Sequence, residues 1–180
     1  SGKYWILLIA TPMLLLGYLY NAGSKPLSYT VLGEWVTGLC YGPGVFGCLY
    51  LLSSDELTIP SVLGMFTFAC MAMALLLSHQ PPQINTDRQA GKHSFAVRYG
   101  KDVTIMTVRY LLLASLVSFT VALWLMGDPS IAVSFLIFVI ILIIFNSRSV
   151  PNPKSLLLSV TTVFAGTLAV KLMTFFSHAL

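Results

Sequence analysis

The chain has 180 residues, of which 57% are hydrophobic and only 9% are charged, with a formal net charge of +4. Soluble domains carry roughly 25% charged residues, so this chain has too few charged groups to cover a surface in water. The composition therefore excludes an ordinary soluble protein and indicates lipid as the main solvent. The positive charge does not indicate nucleic-acid binding, because the basic residues lie in loops between apolar stretches.

Apolar stretches in chain order predict transmembrane helices at about 4–20, 31–52, 59–79, 103–126, 130–147 and 155–176. Each stretch is close to the roughly 20 residues that cross a bilayer as helix. Helices are expected because lipid offers no partners for open strand edges. We therefore predict an all-α fold over residues 1–180, a single polytopic bundle of six transmembrane helices. The chain begins at Ser1, almost directly before the first stretch, so we expect it to be part of a longer protein rather than to carry a signal peptide.

The charge of the loops alternates along the chain. The basic set contains Lys25, Arg88, Lys92, Arg98, Lys101, Arg148 and Lys154. The other set contains Asp55, Glu56 and Asp128, with Lys3 near the start of the chain. The positive-inside rule predicts that the basic loops are cytoplasmic in a multi-pass protein of the plasma or inner membrane. An even number of spans would then leave both termini on the outer side.

Two features of the second stretch predict how it packs. Gly38 and Gly42 form a small-xxx-small pattern, which favours a close contact between helices. Pro43 follows directly and is expected to kink the helix. The three cysteines, Cys40, Cys48 and Cys70, form no C-x-x-C pair and are interpreted as small packing residues.

The longest polar segment, residues 80–101, is here called the motif loop. Its paired prolines suit the first turn of a helix. On that helix Gln83 and Asp87 would share a face, and Arg88 and Lys92 would form a second pair beside them. An acid, an amide and two cations could hold a magnesium diphosphate, since Mg²⁺ binds through one or two carboxylates plus substrate phosphates. On the spacing alone this is a weak signal, and an ordinary cytoplasmic loop, basic because of the positive-inside rule, is the favoured alternative.

The motif loop resembles the second aspartate motif of the UbiA superfamily of membrane prenyltransferases, D-x-x-x-D-x-x-x-G followed by Lys and by V-R-x-G. The matching positions are Gln83, Asp87, Gly91, Lys92, Val97, Arg98 and Gly100. Residues 82–92 also follow, apart from one position, a phrase typical of 1,4-dihydroxy-2-naphthoate polyprenyltransferase-like members, F-P-D-x-x-x-D-R-x-x-G-K. A second similar stretch lies one hairpin earlier and contains Lys25-Pro26-Leu27, Tyr29, Leu32-Gly33-Glu34 and Tyr41-Gly42-Pro43.

This resemblance implies a nine-helix bundle, of which the chain would be the last six helices. It implies transfer of a polyprenyl group from polyprenyl diphosphate to an aromatic quinone-precursor acceptor, with Mg²⁺ as cofactor. Asp87 and Gln83 would then stand at metal-ligand positions. Lys25, Arg88, Lys92 and Arg109 would contact the diphosphate. For Arg109, which lies inside the fourth stretch, snorkelling toward the basic side is the alternative.

Two departures from the family pattern leave catalysis open. Gln83 is a neutral amide where the motif has an aspartate, and no first aspartate motif stands upstream of Tyr20. A catalytically degenerate relative is therefore the alternative, serving as a structural or lipid- or quinone-binding subunit of a larger membrane complex. A carrier or channel is disfavoured by the scarcity of acids within the apolar stretches.

Overall fold

A computed structural model describes residues 4–24, 26–54 and 56–127, together with 135, 158, 160–162, 164–169, 172 and 173. Regular structure in this part of the chain is helical throughout. The principal helices are α1 (Leu7–Asn21), α2 (Leu32–Ser53), α3 (Ile59–His79), α4 (Ile84–Gln89), α5 (Phe95–Tyr99) and α6 (Lys101–Leu125). Short 3₁₀ turns cover Tyr4–Ile6, Leu27–Tyr29 and Pro81–Gln83.

Three of these helices, α2, α3 and α6, are long and apolar enough to cross a membrane. Helix α1 is apolar but has only 15 residues. The predicted all-α membrane fold is thus confirmed, while the number of spans stays a prediction. The predicted span 130–147 lies outside the described residues except for Phe135, and the span 155–176 is described only in part.

Helices α3 and α6 form the central pair of the bundle. Ala74 and Leu77 of α3 pack with Val108, Leu112 and Leu116 of α6, and all five are buried. The spacing of four on α6 places its three residues on one face. Farther from the motif loop in the same pair of helices, the Thr67 and Ser118 hydroxyls share a buried hydrogen bond of 2.7 Å. Polar contacts of this kind join helices in lipid. The motif loop runs from the end of α3 to the start of α6, so this packed pair anchors both of its ends.

The predicted close contact at Gly42 is present between α2 and α3. A Cβ atom on Gly42 would lie 2.8 Å from Cβ of Ala69 and would collide with the Met65 carbonyl oxygen. A reciprocal contact is made by Gly64, where a Cβ would lie 2.5 Å from the Phe46 ring. Only glycine permits this approach of the two backbones.

At Pro43 the helix widens. Residues Cys40–Gly47 form a π-helical run inside α2. Proline has no N–H, and its ring would clash with the carbonyl four residues earlier in an α-helix. The wider turn accommodates the ring without ending the helix.

Candidate functional site

The motif loop is built from short helices separated by turns. Pro81 and Pro82 begin the 3₁₀ turn that leads into α4, so the predicted helical start at the prolines is confirmed. Helix α4 then ends at Gln89, because Gly91 takes a left-handed φ of +69°. The Gly91 N–H donates to the Arg88 carbonyl (3.1 Å) and the Lys92 N–H donates to the Asp87 carbonyl (2.9 Å). These two bonds form a Schellman motif, which reverses the chain.

The prediction that Arg88 and Lys92 share one helix face was wrong, because the helix ends at Gln89 and the chain reverses at Gly91. Lys92 instead lies over Asp87, with its Nζ 3.5 Å from Oδ1. The other carboxylate oxygen of Asp87, Oδ2, accepts a hydrogen bond from the Ser94 hydroxyl at 3.1 Å. Asp87 is buried, so the structure forms a shielded carboxylate with a cation and a hydroxyl beside it.

The stretch before α2 supports this cluster from one side. The His93 N–H donates to the Tyr29 carbonyl at 2.8 Å, and the Lys92 ammonium lies 5.2 Å from the centre of the Tyr29 ring. A cation at this distance over an aromatic face is attracted to it. The two sequence stretches that carry the family resemblance therefore meet in space.

A second buried polar network joins α2, α3 and the motif loop. Glu34, in the first turn of α2, accepts a hydrogen bond from Gln80 Nε2 at 2.7 Å. The Gln80 Oε1 atom accepts the Ala96 N–H at 3.0 Å, and Glu34 Oε1 also accepts the Phe95 N–H at 3.4 Å. Glu34 and Gln80 are only 3% and 6% exposed, so these bonds hold the loop where water does not compete.

The other described residues predicted for the site are exposed, and no contact joins them to the Asp87 carboxylate. Gln83 is exposed at the end of the 3₁₀ turn, and Arg88 is exposed in the last turn of α4. Arg109 is exposed on α6, next to the buried Val108 that packs on α3. Lys25 lies outside the described residues. Of the six residues, the structure thus brings together Asp87 and Lys92.

Sequence reasoning did not identify Ser94 or Gln80 as part of the site. Glu34 was noticed only as part of the resembling Leu32-Gly33-Glu34 stretch. The available signal was the position of Ser94 directly before a helix, where serine is frequent. Its contact with Asp87 was not predictable, because it depends on the turn at Gly91.

An apolar cavity of about 600 Å³ lies between α1, α2 and α3, within the roughly 300–1,000 Å³ of small-molecule sites. Phe68 and Met71, in the middle of α3, line the part of the cavity farther from the motif loop, whereas Tyr20 and His79 line it near the loop-side ends of α1 and α3. The cavity thus extends from the apolar interior toward the motif loop, which begins at the residue after His79.

The donor set at Asp87 suits one-carboxylate binding of Mg²⁺. No three His, Cys, Asp or Glu side chains come together among the residues that the structure describes. A carboxylate has about four lone-pair sites, so Asp87 retains acceptors after its contacts with Ser94 and Lys92. Mg²⁺ is commonly bound by one or two carboxylates, with water and substrate phosphates completing the shell. Asp87 could therefore bind Mg²⁺ together with the phosphate oxygens of a substrate, but it could not supply a complete coordination shell alone.

Comparison with known proteins agrees with this architecture. A profile of the UbiA prenyltransferase family matches residues 2–168. The 1,4-dihydroxy-2-naphthoate octaprenyltransferase of Bacillus subtilis (strain 168) is 30% identical over 128 residues, which are 71% of this chain and 39% of that protein. The matched part is therefore well under half of that relative's length. No solved structure matches the chain. With nearly its whole length matched by the profile, the chain belongs to the UbiA prenyltransferase family.

Proposed function

We propose that this protein transfers a polyprenyl group from a polyprenyl diphosphate to an aromatic acceptor of the dihydroxynaphthoate type, a step of quinone biosynthesis. Family membership and the relative's name support the class of reaction. The observation that carries the proposal is the shielded Asp87–Lys92–Ser94 cluster in the motif loop. This loop begins where α3, one of the helices that line the apolar cavity, ends. A charged head group and a long apolar tail are the two parts of a polyprenyl diphosphate.

The cluster supplies the charges that a diphosphate requires. Lys92 is about one-third exposed, so its ammonium can turn from Asp87 to a phosphate oxygen without a large loss of hydration. Arg88 and Lys25 are proposed as further cationic contacts. Mg²⁺, when bound, would supply positive charge against the leaving diphosphate. The Asp87 carboxylate would hold the ion, with the side-chain amide oxygen of Gln83 as a weaker second ligand.

In the proposed transfer, the bond between the allylic carbon and the diphosphate oxygen breaks, and its electron pair leaves with the diphosphate. A ring carbon of the acceptor donates its π electrons to the allylic cation, and the new carbon–carbon bond forms. The ring then releases its proton to solvent and becomes aromatic again. The cations around the departing diphosphate stabilise the charge that develops there.

The apolar cavity is proposed to hold the polyprenyl tail. Its wall between α1, α2 and α3 is apolar over most of its length, and its loop-side end is lined by Tyr20 and His79. This geometry would direct the tail into the membrane and the diphosphate toward the motif loop. By the positive-inside rule we propose that the motif loop faces the cytoplasm.

The experiment uses the full-length protein in lipid bilayers, with labelled polyprenyl diphosphate and 1,4-dihydroxy-2-naphthoate. We expect label to appear in the aromatic product with Mg²⁺ and not with a chelator. Folded protein that gives no such product, yet copurifies with other membrane proteins, would favour the structural-subunit alternative, which no comparison favours at present.

A further inference from the structure

We propose that Glu34 is a positioning residue for Asp87 and acts through Gln80 and Ser94. Its expected effect on turnover rests on the proposed function, whereas its effect on the motif loop does not. The proposal joins the two polar clusters of the structure into one chain of contacts from α2 to the carboxylate.

The first step concerns the start of α5. The leading N–H groups of a helix have no partner within it and need other acceptors. In α5 the Ala96 N–H is accepted by Gln80 at 3.0 Å and the Phe95 N–H by Glu34 at 3.4 Å. Two distant side chains thus do the work that a local cap normally does.

The second step concerns Ser94. Serine directly before a helix usually accepts a hydrogen bond from the second or third amide of that helix. Ser94 occupies this place before α5, but its side chain makes no such bond. Because Gln80 already accepts the Ala96 N–H, the Ser94 side chain need not turn toward that amide. It points to Asp87 instead and donates to Oδ2 at 3.1 Å.

The third step concerns the charge of Glu34. An amide oxygen could accept the same two bonds, so capping alone does not require a carboxylate. Hydrogen bonds to an ionised acceptor are roughly twice as strong as neutral ones. The other oxygen, Oε2, is fully shielded and has no donor among the described residues, an arrangement that opposes burial of the carboxylate. A buried carboxylate at this position is explained by the firm anchoring of the loop, and not by stability alone.

The bonds of Glu34 and Gln80 also fix where the motif loop lies relative to the cavity. Glu34 lies in the first turn of α2 and Gln80 directly follows α3, and both helices line the apolar cavity. Their bonds to α5 therefore fix the position and orientation of the motif loop relative to the cavity. This position determines where a diphosphate at Asp87 would lie when the polyprenyl tail fills the cavity.

The first test is hydrogen exchange of the full-length protein in bilayers without substrate. E34A should raise amide exchange over residues 92–99 by about tenfold or more, because local opening becomes easier. Exchange in the centres of α3 and α6 should stay unchanged. E56A is the matched control, since Glu56 is exposed in the loop before α3. E34Q should give exchange between that of the wild type and that of E34A, because its amide oxygen accepts the same bonds more weakly. Unchanged exchange over 92–99 in E34A would overturn the proposal.

The second test is a double-mutant cycle between E34A and S94A. If Glu34 acts through Ser94, each single substitution should lower kcat/KM for polyprenyl diphosphate about tenfold. The kcat/KM of the double variant should then equal that of the less active single variant. The KM for the aromatic acceptor should stay constant, and E34Q should lose less activity than E34A, because its amide oxygen accepts the same bonds more weakly. Multiplicative losses would mean that Glu34 does not act through Ser94.

Two outcomes keep the proposals separable. Inactive wild-type protein would remove the proposed function but leave the exchange result valid. If E34A does not fold, Q80M removes the Ala96 cap while leaving the carboxylate, and it should give the same exchange pattern over 92–99. A Q80M variant with wild-type exchange there would overturn the proposal as well.

Discussion

Replacing Asp87 by asparagine separates a functional carboxylate from a structural one. The substitution keeps the shape of the side chain and one carbonyl oxygen, and it removes the negative charge. Lys92, 3.5 Å away, then loses its ion pair, and Ser94 donates to a neutral acceptor instead of an ionised one. The loss of these two contacts affects the stability of the fold and the rate of turnover to different extents.

The loss of stability should be small. Lys92 is 34% exposed in the pair, so solvent screens it, and such pairs contribute about 0.2–1 kcal/mol. A hydrogen bond to a charged group is worth about 1.5–3 kcal/mol and a neutral one about 0.5–1.5 kcal/mol, so the Ser94 bond weakens by roughly 1 kcal/mol. The folded bundle, anchored by the α3–α6 core, should tolerate this loss.

The loss of turnover should be much larger. Removing one preorganised group that stabilises transition-state charge typically lowers kcat by about 10²–10³. We therefore expect D87N to lose at least about 100-fold in diphosphate release at saturating Mg²⁺. Folded protein should be quantified in the same samples by size-exclusion and thermal unfolding. The matched control is D102N, since Asp102 is exposed at the start of α6. Turnover of D87N within about threefold of D102N would refute the role of Asp87.

Three further substitutions address other parts of the site and fold. Q83D restores a second carboxylate at an exposed position, and the Mg²⁺ concentration for half-maximal activity should fall about tenfold. K92M removes the ammonium while retaining much of the stem, so KM for polyprenyl diphosphate should rise about tenfold with KM for the acceptor constant. G42A places a Cβ against Ala69 and the Met65 carbonyl, so it should destabilise the protein by about 1–3 kcal/mol in thermal or denaturant unfolding.

Each of these has a matched control in the chain. Q89D introduces the same charge at another exposed glutamine of the loop, and K101M removes another exposed lysine. G17A adds a methyl group where nothing lies within 4 Å. If Q89D lowers the Mg²⁺ requirement as much as Q83D, general charge is the cause. If K101M raises the diphosphate KM as K92M does, the effect is long-range electrostatics. Equal stability of G42A and G17A would contradict the close contact between α2 and α3.

The helices of the bundle were predictable because hydropathy decides them. The predicted stretches 31–52, 59–79 and 103–126 lie within two residues of α2, α3 and α6 at each end. The glycine contact at Gly42 was predictable from its spacing to Gly38, since small residues let membrane helices approach. These features depend on local composition, which a single sequence contains.

The shape of the motif loop was only partly predictable. Asp87 was identified by its place in a family motif, but its burial and its contacts with Lys92 and Ser94 depend on the reversal at Gly91. A glycine just after the last residue of a helical pattern is a known stop signal, but in the prediction the i, i+4 spacing of the charges outweighed Gly91. The bond between Glu34 and Gln80 joins residues 46 positions apart. Such a contact is set by the packing of α2 on α3 and is not encoded in any local pattern.

The most direct test of the proposed function compares wild-type protein and D87N, both full length and in bilayers, for Mg²⁺-dependent transfer of a polyprenyl group to 1,4-dihydroxy-2-naphthoate. We expect the wild type to release one diphosphate for each prenylated product, with at least about a 100-fold loss in D87N. Folded wild-type protein that forms no product would contradict the proposed function, and D87N that forms product at the wild-type rate would contradict the role of Asp87.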